Sequence, residues 1–163
     1  MTLWVVWGRS AKQRRLRKWT PLLRARSFGG MFAIDTNVVV RILTGDDPTQ
    51  TAAARDLLAA GPIWIAKTVL LETEWVLRSY YKFDSGMIRE ALTKLLGLKN
   101  VSAEDEESVA SALALMAHGI EFADAIHLSS KPRGATFISF DRSFVRRARR
   151  AGISGISDVP VKG

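Results

Sequence analysis

Carboxylates that follow apolar strands are candidates for chemistry, and this chain has two of them. Asp35 directly follows the apolar run 31–34, and Asp141 directly follows the apolar run 136–140. Ligands of open α/β sheets bind in the crevice at the carboxyl ends of the strands. Because parallel strands end at the same edge of a sheet, we expect these two side chains to lie near each other. Each could instead be only a helix N-cap, a position that favours Asp.

Glu72 is a third candidate, because it interrupts an apolar helical pattern. At about 100° per residue it projects between Trp75 and Val76, on a face that we expect to meet the rest of the protein. A carboxylate on such a face must be paired, protonated or bound to a metal. Glu74 points about 160° away and has Arg78 four residues later, so an exposed ion pair accounts for it. We therefore predict Glu72, not Glu74, as a site residue.

Asp124 is the fourth candidate, in a short predicted helix where Ala123 and Ala125 allow close packing. Its alternative role is that of a first-turn acid that favours the helix dipole. Four carboxylates gathered at one sheet edge would repel each other unless a cation neutralised them. All-oxygen clusters suit Mg²⁺ or Mn²⁺ better than zinc, and phosphodiester hydrolysis commonly uses such ions. The residues alone thus predict a metal-dependent phosphoryl-transfer enzyme.

The elements that must position these acids alternate between short apolar runs and longer helical patterns. We predict strands over 31–34, 63–66, 100–102, 136–140 and 155–157. We predict helices over 38–43, 48–60, 68–81, 85–98, 104–117, 123–129 and 142–151. This alternation is typical of an α/β domain, with a central, mostly parallel sheet flanked by helices. The domain extends over residues 31–163.

Residues 1–30 differ from this domain in charge. They contain eight basic residues and no acid, which leaves 16 basic and 16 acidic residues in the remainder. We expect a basic extension without a packed element: an organellar transit peptide, a basic arm for nucleic acid, or sequence upstream of a natural start at Met31. The chain has no cysteine, which excludes disulfide scaffolds, thiolate metal sites and cysteine nucleophiles and suits a cytoplasmic protein. No apolar run is long enough to span a bilayer, so no membrane partner is expected.

Four segments together resemble the PIN-domain ribonucleases, most closely the VapC toxins of toxin–antitoxin pairs. They are MFAIDTNVVVRIL, KTVLLETEWVLRSYY, FADAIHLS and FISFDRSF. The resemblance implies a PIN-like fold, Mg²⁺- or Mn²⁺-dependent cleavage of RNA, a homodimer and a small VapB-type antitoxin as partner. It also implies that the acids of these segments are both catalytic and metal-binding: Asp35, Glu72, Asp124 and Asp141.

Other polar and basic side chains lie close to these acids in the sequence. Thr36, Asn37 and Ser139 occupy positions that the family places beside the acids, so they could orient a carboxylate, water or phosphate. Simple hydrogen bonding at helix starts and strand ends is the alternative. Four arginines recur at three- and four-residue steps on one stripe of the last helix and could contact RNA phosphates: Arg142, Arg146, Arg149 and Arg150. A solvated helix face is the other interpretation.

Two further functions stay open beside a toxin-type ribonuclease. One is a PIN-type nuclease that serves RNA maturation or DNA processing. The other is a non-catalytic module whose acids are caps and ion-pair partners and whose basic arm holds nucleic acid. Binding that requires residues 1–30 and ignores divalent metal would favour this module.

Overall fold

A computed structural model describes residues 30–160 of the 163-residue chain. The predicted basic extension therefore lies, apart from Gly30, outside the described residues. Within the described part, no helix has both the length and the apolar character needed to cross a membrane.

Helices and strands alternate along residues 30–160 in the predicted order. The strands are β1 (Phe32–Ala33), β2 (Ile63–Ile65), β3 (Val101–Ala103), β4 (Phe137–Ser139) and β5 (Ile156–Asp158). The helices are α1 (Thr36–Thr44), α2 (Pro48–Ala60), α3 (Lys67–Ser79), α4 (Ser85–Leu96), α5 (Glu106–Met116), α6 (Phe122–Ser129) and α7 (Arg142–Arg150). The predicted α/β class is thereby confirmed.

The strands form two parallel ladders. One has the order β1-β2-β3, with Phe32 opposite Ile63 and Ile63 opposite Val101. The other pairs β4 with β5. Because β1 and β4 belong to different ladders, the expectation that Asp35 and Asp141 end strands of one sheet is wrong. Helical connections between consecutive strands are what parallel pairing requires.

Helix initiation in this chain relies on aspartate. Five of the seven described helices begin after an Asp whose carboxylate accepts a backbone N–H of the first turn: Asp35, Asp47, Asp84, Asp105 and Asp141. Such caps satisfy donors that have no partner within the helix. The capping role expected for Asp35 and Asp141 is therefore confirmed, and it is shared with three other aspartates.

The start of α3 uses a different device, in which acids from the end of β3 serve a neighbouring helix. Glu104 Oε2 accepts the backbone N–H of Lys67 at 2.9 Å. The Lys67 ammonium lies 2.9 Å from Asp105 Oδ2. This hydrogen bond from Lys67, together with one from Ser108, lowers the pKa of Asp105. The two acids that follow β3 thus have structural roles: Glu104 caps α3, and Asp105 pairs with the Lys67 ammonium.

The faces of α3 differ from the prediction. Its buried residues are Leu70, Thr73, Glu74 and Leu77, and Glu74 is only 6% exposed. Glu72 is exposed, and Trp75 is 59% exposed. The expectations of a protein-facing Glu72 and a solvated Glu74 were therefore wrong. The predicted ion pair exists, with Arg78 Nε 3.0 Å from Glu74 Oε1, but its acid is buried.

Candidate active site

Asp35 lies between β1 and α1, where its side chain caps the helix. Its Oδ1 accepts the backbone N–H of Val38 at 3.0 Å. The residue is exposed, and within residues 30–160 no cation forms an ion pair with it. Only one of its two oxygens is used by the cap, which leaves Oδ2 able to bind a ligand.

Thr36 connects this strand end to Glu72. Its hydroxyl donates a hydrogen bond of 2.5 Å to Glu72 Oε2, and Thr36 itself is buried, with 8% exposed. The bond joins α1 to α3, two helices that pack against each other. A buried donor fixes the position of an exposed carboxylate, so Glu72 is held in place although it is open to solvent.

Asp35 and Glu72 line one cleft, with a volume of about 490 Å³. Thr36 and Asn37 contribute to the same wall. The structure thus brings together the first two predicted acids and two of the three predicted supporting side chains. Their common position results from α1 beginning directly after β1 and packing on α3.

Asp141 is held by three hydrogen bonds at a single oxygen. Its Oδ1 accepts from Ser143 N at 2.8 Å, Ser143 Oγ at 2.8 Å and Phe144 N at 2.9 Å. The N–H of Phe144 is the largest cause of the lowered pKa of Asp141, followed by the hydroxyl of Ser143. Ser139, the third supporting residue, accepts the backbone N–H of Asp141 on its hydroxyl at 3.0 Å. Asp141 is therefore charged and fixed, with Oδ2 free of cap bonds.

Asp124 lies in the first turn of α6 and is half-buried. Burial raises its pKa, and the negative charges of Glu121 and Asp141 raise it further. His127 and Arg147 oppose this rise. Asp124 thus experiences the charge of Asp141, which places these two acids in one electrostatic environment. A partly buried acid that faces other acids is stabilised in its charged form by a cation.

Arg147 is a residue that the sequence interpretation did not place at the site. It is half-buried, its Nη1 donates to Ser143 Oγ at 3.0 Å, and its charge lowers the pKa of both Asp124 and Asp141. Its Nε is buried without a partner among the described residues. The spacing of four residues from Ser143 to Arg147 is a signal that could have identified it, because side chains four apart share a helix face.

The four arginines of the predicted stripe are all exposed: Arg142, Arg146, Arg149 and Arg150. Arg149 is partly engaged, because its Nη2 donates to the carbonyl of Ile156 at 3.2 Å. The remaining three project from α7, and none of them forms an ion pair with an acid among residues 30–160. The stripe is therefore a basic surface that begins next to Asp141.

The four acids form two pairs. Asp35 and Glu72 share the cleft, whereas Asp124 and Asp141 interact electrostatically. Helix α3, which carries Glu72, packs against both α1 and α6, the helices that follow Asp35 and contain Asp124, respectively. Among residues 30–160, no three acidic or histidine side chains are close enough to form a metal-binding group. The carboxylate oxygens of these four acids are the kind of ligand that a hard divalent cation prefers.

A family model for the PIN domain matches residues 32–150 of the chain. The match contains all four acids. Neither the curated proteins nor the solved structures include a match to this chain. PIN domains are in general nucleases, hydrolases of phosphodiester bonds that typically use divalent metal ions.

Proposed function

Because the chain belongs to the PIN domain family, we propose that it is a metal-dependent endoribonuclease that acts as the toxin of a toxin–antitoxin pair. The observation that carries the proposal is the placement of Asp35 and Glu72 in one cleft within the family match. The motifs around these acids, and around Asp124 and Asp141, resemble those of VapC toxins. The proposed substrate is RNA, cleaved by hydrolysis.

Asp35, Glu72, Asp124 and Asp141 are the residues proposed to hold Mg²⁺ or Mn²⁺. When bound, such an ion offsets the carboxylate charge and acidifies an attacking water. The chain prepares these ligands in two ways. The caps orient Asp35 and Asp141 through one oxygen each, and the hydroxyl of Thr36 orients Glu72.

The remaining side chains are proposed to position RNA. Asn37 presents an amide at the cleft wall, beside Asp35. The exposed arginines of α7 are suited to contact the phosphates of the backbone, which supplies affinity without sequence selectivity. Arg147 lies closer to the acids, where its charge reduces the repulsion of an approaching phosphate.

The biological role includes a homodimer, a VapB-type antitoxin and a cytoplasmic location. These features rest on the resemblance of the four motifs. An antitoxin segment that binds in the cleft would cover the acids and block access of RNA. Neutralisation by occlusion is therefore the proposed mode of control.

The test is metal-dependent cleavage of RNA by the purified full-length chain. We expect labelled single-stranded RNA to be cut in Mg²⁺ or Mn²⁺ and not in excess chelator. Asp124→Asn should lower the rate roughly 10²-fold. Asp47→Asn is the matched control, because Asp47 caps α2 and does not line the cleft. Equal rates for both variants, or cutting unaffected by chelator, would contradict the assignment of the acids.

The toxin role needs a separate test in cells. Expression of the chain should arrest growth, and co-expression of a small protein encoded beside its gene should restore growth. Expression of the Asp124→Asn variant should leave growth unchanged. Metal-dependent cleavage in vitro without growth arrest would instead indicate a PIN nuclease of RNA maturation or DNA processing.

A further inference from the structure

The cleft that contains Asp35 and Glu72 has a second end with a different character. Arg41, Tyr80 and Tyr81 line it, together with Asp46 from the loop between α1 and α2. The proposed roles of the acids do not use this end. Its side chains are connected to each other by hydrogen bonds, so the contacts show what kind of ligand it suits.

The charged groups at this end neutralise each other. Arg41 Nη1 lies 2.8 Å from Asp46 Oδ2, and Tyr81 donates its hydroxyl to the same oxygen at 2.5 Å. Asp46 Oδ1 accepts from Thr44 Oγ1 at 2.9 Å. Burial and the hydrogen bond to Asp46 raise the pKa of Tyr81, which keeps its hydroxyl protonated as a donor. With the ion pair closed, this end of the cleft suits an uncharged ligand group.

Tyr80 is the exposed aromatic of this end, with 77% of its surface accessible. Its ring meets the ring of Tyr81 edge to face, with centroids 5.0 Å apart and planes at 75°. Tyr81 is itself fixed by Asp46 and by Arg41, whose Nη1 donates to the Tyr81 hydroxyl at 3.2 Å. The Tyr80 ring is thus supported from the protein side and open on the cleft side.

We propose that Tyr80 is a stacking platform for an unpaired base of single-stranded RNA whose backbone passes Asp35 and Glu72. The inference rests on the proposed nuclease function and adds a specificity-determining residue to it. Unstacked bases of single strands stack on exposed aromatic side chains, and every base has a suitable face. The cleft lining is mostly polar, which favours a nucleotide over an apolar protein segment.

The same contacts predict the selectivity of the platform. Both oxygens of Asp46 already accept hydrogen bonds, and the hydroxyl of Tyr81 is engaged by Asp46 and Arg41. Among residues 30–160, the Asp46 carboxylate and the Tyr81 hydroxyl are thus already occupied by hydrogen bonds within the protein. We expect stacking strength to be the main source of discrimination and to give a modest preference for purines over pyrimidines.

The experiment measures binding of short 5′-fluorescein oligoadenylate and oligouridylate to the full-length chain in excess chelator, by anisotropy. Tyr80→Ala should weaken oligoadenylate binding about tenfold, and Tyr80→Phe should bind within about twofold of wild type. Trp75→Ala is the matched control, because Trp75 is an exposed aromatic of α3, the helix that Tyr80 directly follows, and lies outside the cleft lining. In Tyr80→Trp, oligoadenylate should quench the added indole emission, taken as the difference from wild type.

Each outcome separates the platform from the nuclease function. If wild-type protein cleaves RNA while Tyr80→Ala binds oligoadenylate as wild type does, the platform is refuted and the nuclease function stands. If Trp75→Ala weakens binding as much as Tyr80→Ala, the cleft is not the stacking site. If Tyr80→Ala loses only a co-expressed protein partner and keeps RNA binding, the surface serves that partner, which also overturns the proposal. Absence of both cleavage and binding in wild type rejects the nuclease function itself.

Discussion

Replacing Thr36 with valine removes the hydroxyl that joins α1 to Glu72 and keeps the shape of the side chain. A hydrogen bond to a charged acceptor contributes about 1.5–3 kcal/mol to the free energy of unfolding. Glu72 is exposed, so water solvates its carboxylate once the bond is lost. We therefore expect Thr36→Val to lower the free energy of unfolding by about 1.5 kcal/mol, the lower end of this range.

A double-mutant cycle isolates this contribution. Urea unfolding of wild type, Thr36→Val, Glu72→Ala and the double variant gives a coupling free energy in which helix propensity cancels. We expect a coupling of about 1.5 kcal/mol, and we expect Thr36→Ser to retain most of the wild-type stability. If Glu72 ligates the ion, Thr36→Val should also weaken Mn²⁺ binding about tenfold by calorimetry, since residues that orient a ligand tune metal affinity.

Additive effects of the two substitutions on the free energy of unfolding would contradict a bond between Thr36 and Glu72. A coupling below about 0.3 kcal/mol would mean that the hydroxyl and the carboxylate do not interact in solution. Loss of stability in Thr36→Ser equal to that in Thr36→Val would attribute the effect to packing of the Thr36 methyl group. Either result would remove the physical basis for an oriented Glu72.

Three other contacts of the described residues can be tested by substitution. Asp35→Asn and Asp47→Asn should both have a free energy of unfolding within about 0.5 kcal/mol of wild type, because Asn caps helices as well as Asp does. Only Asp35→Asn should lose Mn²⁺ binding in calorimetry, and equal binding by the two variants would exclude Asp35 as a ligand. Arg78→Met should lower the free energy of unfolding in urea by about 1–3 kcal/mol, because it leaves the buried Glu74 without its cation. Adding Glu74→Gln to this variant should recover part of the loss, whereas a loss of only a few tenths of a kcal/mol for Arg78→Met would indicate a solvated ion pair. Asp105→Asn keeps a capping side chain but removes the charge that pairs with the lysine of α3, so it should be less stable than wild type at pH 7. Because the pKa of Asp105 is lowered in the folded state, this contribution is fully present above the unfolded-state pKa and is lost as pH falls through the folded-state pKa. The difference in stability should therefore begin to shrink below about pH 4 and vanish below the folded-state pKa of Asp105, and a difference independent of pH would contradict this.

Much of the fold follows from local patterns. Within residues 30–160, the seven helices and five strands occur in the predicted order because apolar periodicity changes between strands and helices along the chain. The predicted start of a helix was less accurate where a turn separates the helix from the preceding strand. The predicted helix 104–117 begins only at Glu106, since Asp105 adopts a left-handed conformation with φ of 51° and caps the helix, while Glu104 caps a different helix.

The faces of α3 could not be read from the sequence for a specific reason. Apolar residues occur on nearly every side of this helix, so periodicity does not select one buried stripe. The stripe that the fold buries includes two polar residues, Thr73 and Glu74, and it leaves Trp75 in solvent. Which side is covered depends on how α3 packs between α1 and α6, and that is a tertiary property. The pairing of Asp35 with Glu72 likewise depends on the contact of α1 with α3.

The reliance on aspartate caps has a consequence for natural variation. A position that must only begin a helix accepts Asp, Asn, Ser or Thr with little loss, because each offers an oxygen to the first-turn amides. Among relatives of this chain, we therefore expect such exchanges at Asp47 and Asp84. At Asp35 and Asp141 we expect only Asp if the second carboxylate oxygen binds a metal ion. Four aspartates that look alike in one sequence would thus separate, across many related sequences, into a pair that varies and a pair that does not.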